Sequence, residues 1–170
     1  PVLDAIVESA ARVCAIDDVV LRLREGNTMV ARAHFGPIAI ARLETSMDAP
    51  LYRWVSERGT LHIPDRRGQN IIPPVGSVSE WRSLLGVPLR QQGDLSGGLF
   101  ARRIEVRPFT LAQIKLLETF ADQAVIAIEN VRLFQELTEA LEQQTATSEI
   151  VGVTVSSLIV IQPVVEVVAE

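Results

Sequence analysis

Between Thr110 and about Thr145 the chain holds neither glycine nor proline, so nothing breaks a helix there. Thr110, with Gln113 three residues on, forms a capping box that opens it. Its apolar pattern changes along its length. From Leu116 to Val131 it is apolar nearly all round, through Leu117, Phe120, Ala121, Ala124, Val125, Ile126, Ala127 and Ile128. A helix apolar on every side needs two partners, one face for a sheet and another for a second helix. Beyond Val131, Arg132, Gln135, Glu136, Glu139 and Glu142 turn polar, leaving a stripe of Leu133, Phe134, Leu137 and Leu141. The seam Phe120, Ala124, Ala127, Val131, Phe134, Thr138, Leu141 steps by four and three, the spacing of a coiled coil. It predicts a parallel homodimer held largely by residues 117–141. The competing reading is a monomer whose stripe covers a neighbouring domain.

Upstream, residues 2–14 read as an amphipathic helix, with Leu3, Ile6, Ala10 and Val13 at helical spacing. A hairpin follows: Val19, Leu21 and Leu23 alternate with Val20, Arg22 and Arg24, Gly26-Asn27 is the turn, and Met29 to Phe35 return. Residues 38–47 fit no single element. Asp48 is the expected cap of a short helix through Val55, which Gly59 stops. A short strand runs from Thr60 to Ile63. Residues 66–82 read as a long loop rich in glycine, proline and serine, with a helical turn near Ser79-Glu80-Trp81. Ser83 to Arg90 and Gly98 to Arg103 are the last strands, with Gly93-Asp94 and Gly97-Gly98 in their connection and 102–107 as a charged exit. Strands joined by hairpins, with helices gathered separately, predict an α+β fold: a central antiparallel sheet with helices packed on it and a long C-terminal helix.

Composition narrows the function. A net charge of −5 lacks the basic footprint of a nucleic-acid surface. Cys14 is the single cysteine, so no internal disulfide or cysteine metal cluster forms, as in a reducing cytosol. The charge-free run 150–165 spans 16 residues, short of the roughly 20 a membrane helix needs, and Thr154, Ser156, Ser157, Gln162 and Pro163 interrupt it. It reads as a linker, with no membrane insertion. His34 and His62 have no third metal-ligating partner and read as structural, with no metal site. No serine carries nucleophile-elbow spacing, and Gly93, Gly97 and Gly98 lack the Lys-Ser/Thr that completes a phosphate loop. Asp17-Asp18 reads as a solvated pair at a strand start. No catalytic constellation stands out, so the chain is expected to be no enzyme.

The middle region supplies the pocket candidates. Tyr52, Trp54 and Trp81 offer flat apolar area, and Asp65, Arg66, Arg67 and Ser83 offer orienting polar groups. A small ligand is expected between the sheet and residues 52–83, under the long loop. The competing reading makes the aromatics plain core and the arginines solvated.

The run Leu84-Leu85-Gly86-Val87-Pro88-Leu89, the Gly93 turn, Gly97-Gly98-Leu99-Phe100, and Arg107-Pro108-Phe109-Thr110 leading into 120–134 resemble a GAF domain. The closing stretch Phe120-Ala121-Asp122-Gln123-Ala124-Val125-Ile126-Ala127-Ile128-Glu129-Asn130 is similar to the last helix of GAF domains in bacterial sensor histidine kinases of two-component systems and in nucleotide cyclases. The resemblance covers residues 1 to about 135. It implies a GAF-like antiparallel sheet with a ligand pocket on one face and dimerisation helices on the other. It also implies a regulatory role in the cytoplasm, with an effector domain elsewhere in the chain. The Asn-Lys-Phe-Asp-Glu set of cyclic-nucleotide-binding members is absent. Cys14 lies in the first helix, not where photoreceptor members attach a bilin. The cofactor, if there is one, is therefore left unnamed. A PAS-like sensor is the rival fold, and the Arg107-Pro108-Phe109-Thr110 entry favours GAF.

The layout is then a sensor domain over 1–135, a helical linker over 136–162, and the start of a second similar domain over 163–170. That last expectation rests on an echo: Pro1 to Glu8 matches Pro163 to Glu170, with Pro, Val and Glu repeated at an offset of 162. Three functions compete: a ligand-gated sensor relaying through a dimeric helix, a ligand-free dimerisation and relay domain, and an enzyme.

Overall fold

The computed structural model describes residues 1–68 and 80–169, with side chains through residue 152. Two compact units divide the chain, Pro1–Ala127 and Ile128–Glu170.

The first unit is built on α1 (Val2–Val13), β1 (Asp18–Glu25), β2 (Thr28–Phe35), β3 (Glu44–Ser46), α2 (Pro50–Arg58), β4 (Leu61–Ile63), β5 (Ser83–Gln91) and β6 (Asp94–Arg103). The helix α3 (Leu111–Ala169) begins in this unit. The six strands form one antiparallel sheet in the order β3-β2-β1-β6-β5-β4, the α+β arrangement expected from the hairpin pattern. The hairpin closes at Gly26-Asn27, with Glu25 opposite Thr28. Thr110 and Gln113 make the reciprocal capping-box bonds, 2.9 and 3.2 Å, at the start of α3.

Side-chain alternation gives the sheet two apolar faces. α2 packs on β4 and β5, and Tyr52 and Val55 join Met29, Leu61, Ile63, Leu84 and Phe100 in one core cluster. The residues of opposite parity, among them Val19, Leu21, Leu85, Val87, Leu99 and Ala101, are also fully buried. α1 packs on β1 and β2 and buries Val7, Ala10 and Ala11. From α3 the first unit buries Leu117, Ala121 and Ala124, which lie on one helical face.

Several details differ from the sequence reading. Asp48 does not cap α2. Ala49 occupies the N-cap without a side-chain bond, and Pro50 stands in the first turn, where its missing N–H costs nothing. The Asp48 carboxylate instead accepts from the Asn27 side chain at 3.4 Å. Gly97 and Gly98 lie inside β6 rather than in the connection. The turn is Gln92-Gly93, both at positive φ (53° and 86°), the conformation that matches the twist of a two-residue hairpin. Arg102 and Arg103 belong to β6 and are buried, not part of a charged exit. Most of the long loop expected over 66–82 lies outside the described residues.

The second unit is the continuation of α3 from Ile128. Val131, Leu133, Phe134, Leu137 and Leu141 are exposed along it, while Arg132 pairs with Glu129 and Glu136. Among the described residues no helix is long and apolar enough to cross a membrane.

Candidate functional site

On the α2 side of the sheet the core is aromatic. The rings of Tyr52 and Phe100 meet edge to face, 5.8 Å apart at 78°. Phe100 lies across the backbone of Gly86 and Gly98, where an added Cβ would sit 3.1 and 2.7 Å from its ring. Trp81 is buried in the same cluster, with the Arg66 guanidinium 5.4 Å over its ring. Trp54 is half-buried against the cluster, and Arg58 lies 5.9 Å over it. Among the described residues the buried Trp54 Nε1 donor has no acceptor, a state that costs about 1–3 kcal/mol.

Beside this cluster lies a polar network that sequence reasoning missed. Asp18 is wholly buried, not solvated as expected. One carboxylate oxygen accepts from Arg102 Nε at 2.7 Å. The other accepts from His34 Nε2 and from the Ile38 amide, both at 2.8 Å. Arg102 continues to the carbonyl of Ile38 at 2.7 Å and of Ala39 at 3.4 Å. The buried charge is thus both paired and hydrogen-bonded, as burial requires. Four residues along β1, on the same face, Arg22 donates to the carbonyls of Arg42 at 2.7 Å and Leu43 at 3.2 Å. Two strand arginines thereby hold the irregular segment 36–43 by its backbone. Burial lowers the Arg22 pKa, and the Arg102 charge pushes it the same way, against Tyr52. Burial also raises the Tyr52 pKa, with Arg22 and a bond to Thr45 opposing. The one legible signal was parity, which places Asp18, Val20 and Arg22 on one face of β1. The Arg102 partnership depends on the β1–β6 pairing across 84 residues of chain.

A third group gathers where β4, β5 and β6 approach the connector 104–110. Ser83 is buried; its hydroxyl donates to Pro64 O at 2.7 Å and accepts from the Arg107 amide at 3.0 Å. His62 Nε2 accepts from the Phe109 amide at 3.0 Å, and its ring meets that of Phe109 edge to face. Arg103 lies 4.1 Å over the Phe109 ring and donates to Arg107 O at 2.7 Å. Burial first, then Arg103, lowers the His62 pKa. Asp65 takes a two-pronged ion pair from Arg82, 2.9 Å on each oxygen, which is the main cause of its lowered pKa. The Arg67 amide also donates to Asp65, at 3.0 Å, and the Arg67 side chain is exposed.

The candidates named from sequence therefore divide. Tyr52, Trp54 and Trp81 meet in one cluster, and Arg66 joins them over Trp81. Asp65 and Ser83 are spent on the strand ends and the connector. Both histidines hold backbone or a carboxylate. Among the described residues no group of three metal-ligating side chains could hold a metal ion.

The family model described as "GAF domain" matches residues 1–128. No curated protein matches the chain. Solved structures do. The GAF domain of a phosphoenolpyruvate-protein phosphotransferase from Coxiella burnetii is 19% identical over 79% of this chain and 84% of its own, with a TM-score of 0.66. The blue-light absorbing form of the PixJ GAF domain from Thermosynechococcus elongatus is 17% identical over 82% and 90%, also at 0.66. The free methionine-R-sulfoxide reductase of Neisseria meningitidis, solved with its substrate, is 19% identical over 77% and 78%, at 0.64. At these identities the likeness is one of fold.

Proposed function

The chain belongs to the GAF domain family, and on that premise we propose that it is a non-catalytic sensor. In this reading it binds a small ligand on the α2 side of its sheet and relays binding through a dimeric α3 to an effector domain. GAF domains are sensory and regulatory modules that bind small ligands or chromophores. The observation that carries the ligand reading is the buried Nε1 of Trp54, which has no acceptor among the described residues. An orphaned donor beside an aromatic cluster is a standing cost that an acceptor on a ligand removes. The connector 104–110, tied to β4 and β5 by His62 and Ser83, leads directly into α3 and supports the relay.

Some relatives in fold are reductases, which raises the enzyme reading. Redox chemistry through a thiol needs an accessible thiolate. The one cysteine here, Cys14, is buried, and burial pushes its thiol pKa up.

Ligand binding is tested by a thermal-shift screen of the chain against cyclic nucleotides, haem, bilins and small carboxylates. A ligand that binds only the folded state raises its stability, by about 2.7 kcal/mol at one hundred times Kd. At least one class should raise Tm, and Trp54→Phe, which keeps the apolar ring but removes the donor, should weaken that response several-fold. A flat screen overturns the sensor reading in favour of a ligand-free relay.

A further inference from the structure

Arg22 and Arg102 share one face of the sheet but not one fate. Arg102 is neutralised by Asp18 at 2.7 Å. Arg22 is half-buried, and its hydrogen bonds go to two backbone carbonyls, those of Arg42 and Leu43. Among the described residues no carboxylate pairs with it. Desolvation already lowers its pKa, so the site carries the cost of a charge without the counter-charge that offsets it. A guanidinium fork matches a carboxylate in a planar two-bond geometry that adds charge pairing to the hydrogen bonds.

The carbonyls that occupy the fork are easily given up. Segment 36–43 is fastened near its two ends. Ile38 is buried and bonded to Asp18 and Arg102, and Leu43 O also accepts from the Ala31 amide at 2.8 Å. Between and beyond these points Ala39, Ala41 and Arg42 are exposed, and the Leu43 side chain is 66% exposed. Leu43 O keeps its bond to Ala31 when Arg22 leaves, and Arg42 is exposed, so withdrawal of the guanidinium strands no buried group. Tyr52, whose phenol burial keeps neutral and Arg22 favours ionising, presents its ring to Phe100 on the same side of the sheet.

We propose that Arg22 is the recognition residue of a small-carboxylate site, the ligand's carboxylate taking the guanidinium from the carbonyls of Arg42 and Leu43 on the side of the sheet where Tyr52 and Phe100 form the buried aromatic core. A carboxylate fits rather than a phosphate because, of the two strand arginines that hold segment 36–43, Arg22 alone lacks a carboxylate partner among the described residues; a dianion needs a second cation, and Arg102 is committed to Asp18. Binding then exchanges the ligand for the carbonyls of Arg42 and Leu43, so occupancy and the position of Arg42 change together. This inference rests on the ligand-binding reading above and names the chemistry of that site.

The test uses the full chain and matched probes at equal millimolar concentration: phenylacetate and 4-methylvalerate, their amides, and phenyl phosphate. The acids should raise Tm and the amides should not. Arg22→Gln should weaken the acids at least tenfold, and Arg22→Lys, which keeps the charge but not the fork, should fall between. In the parent chain the Arg22 Nε–Hε NMR signal should shift on titration with the acids alone, a readout independent of how well the variants fold. Amides as effective as acids, or an Arg22→Gln variant that responds like the parent, overturn the carboxylate assignment and leave the ligand site standing. Phenyl phosphate outperforming the acids replaces the carboxylate with a phosphate. Silence from every probe overturns the carboxylate assignment, and the broader screen above then decides whether the site takes any ligand.

Discussion

His62 accepts the Phe109 amide through Nε2, and an imidazolium has no lone pair with which to do so. Arg103, stacked on the same Phe109 ring, further disfavours the charged form, so the folded pKa lies below the ordinary value. The sign of the pH dependence follows from that depression. Above about pH 6.5 both states hold His62 neutral, and the contribution is fully present. As pH falls below that, the unfolded chain takes up the proton first and stability drops. The bond itself is worth about 0.5–1.5 kcal/mol. Asp65, whose pKa is lowered chiefly by Arg82, acts in the same direction but only below about pH 4. Tm measured from pH 8 to pH 5 should therefore be level and then decline, and His62→Gln, which keeps an acceptor but no titration, should flatten the decline. A parallel decline in the variant would place the titrating group elsewhere.

Among the elements, β6 shows how a central strand is paid for in side-chain volume. Gly97 lies opposite Leu23 and Leu89, and a Cβ there would stand 2.3 Å from the Arg22 carbonyl and 3.1 Å from Leu23 Cδ2. The obstacle is backbone, which cannot rotate away. Gly97→Ala should cost about 1–3 kcal/mol in urea unfolding, in the range of core overpacking, and should loosen the β1–β6 pairing that carries Asp18 and Arg102. A variant as stable as the parent would show that the strands separate freely at this point. Elements that announce themselves locally were legible from sequence: Gly26-Asn27 as a turn, Thr110 and Gln113 as a cap, the period of α1. Gly97-Gly98 looked like a turn because closeness of another strand leaves no local mark. Asp18 looked solvated for the same reason. Its neighbour Asp17 is exposed, and the arginine that allows its burial comes from the far edge of the sequence pattern, in a run of charges at 102–107. The aromatic half of the candidate site was readable from Tyr52, Trp54 and Trp81, whereas its polar half was set by strand order.

At the scale of the whole molecule the decisive fact is that the described residues of the second unit, from Ile128 to Ala169, are one helix with no second element beside it. Isolated helices draw only marginal stability from propensity in water; most helical stability in proteins comes from packing an apolar face. Here that face exists and is exposed: Val131 at 42%, Phe134 at 71%, Leu137 at 58% and Leu141 at 54%. Of the seam expected from the heptad spacing, Ala124 is removed, because its own chain covers it completely. Phe120 and Ala127 are half-covered, and Val131, Phe134 and Leu141 remain open. A second copy laid alongside in parallel would bury these three from each chain, at about 1.5–3 kcal/mol per large side chain. The ion pairs of Arg132 with Glu129 and Glu136 run along the helix and need no partner. Val131→Asp combined with Phe134→Asp places two charges in the proposed seam and should yield a folded monomer by light scattering, with the Tm of the N-terminal unit unchanged. Circular dichroism should report lost helix, since the segment beyond Ile128 would lose its packing. A parent chain that is monomeric at high micromolar concentration, or a double variant that stays dimeric, would assign the stripe to a neighbouring domain of the same polypeptide instead.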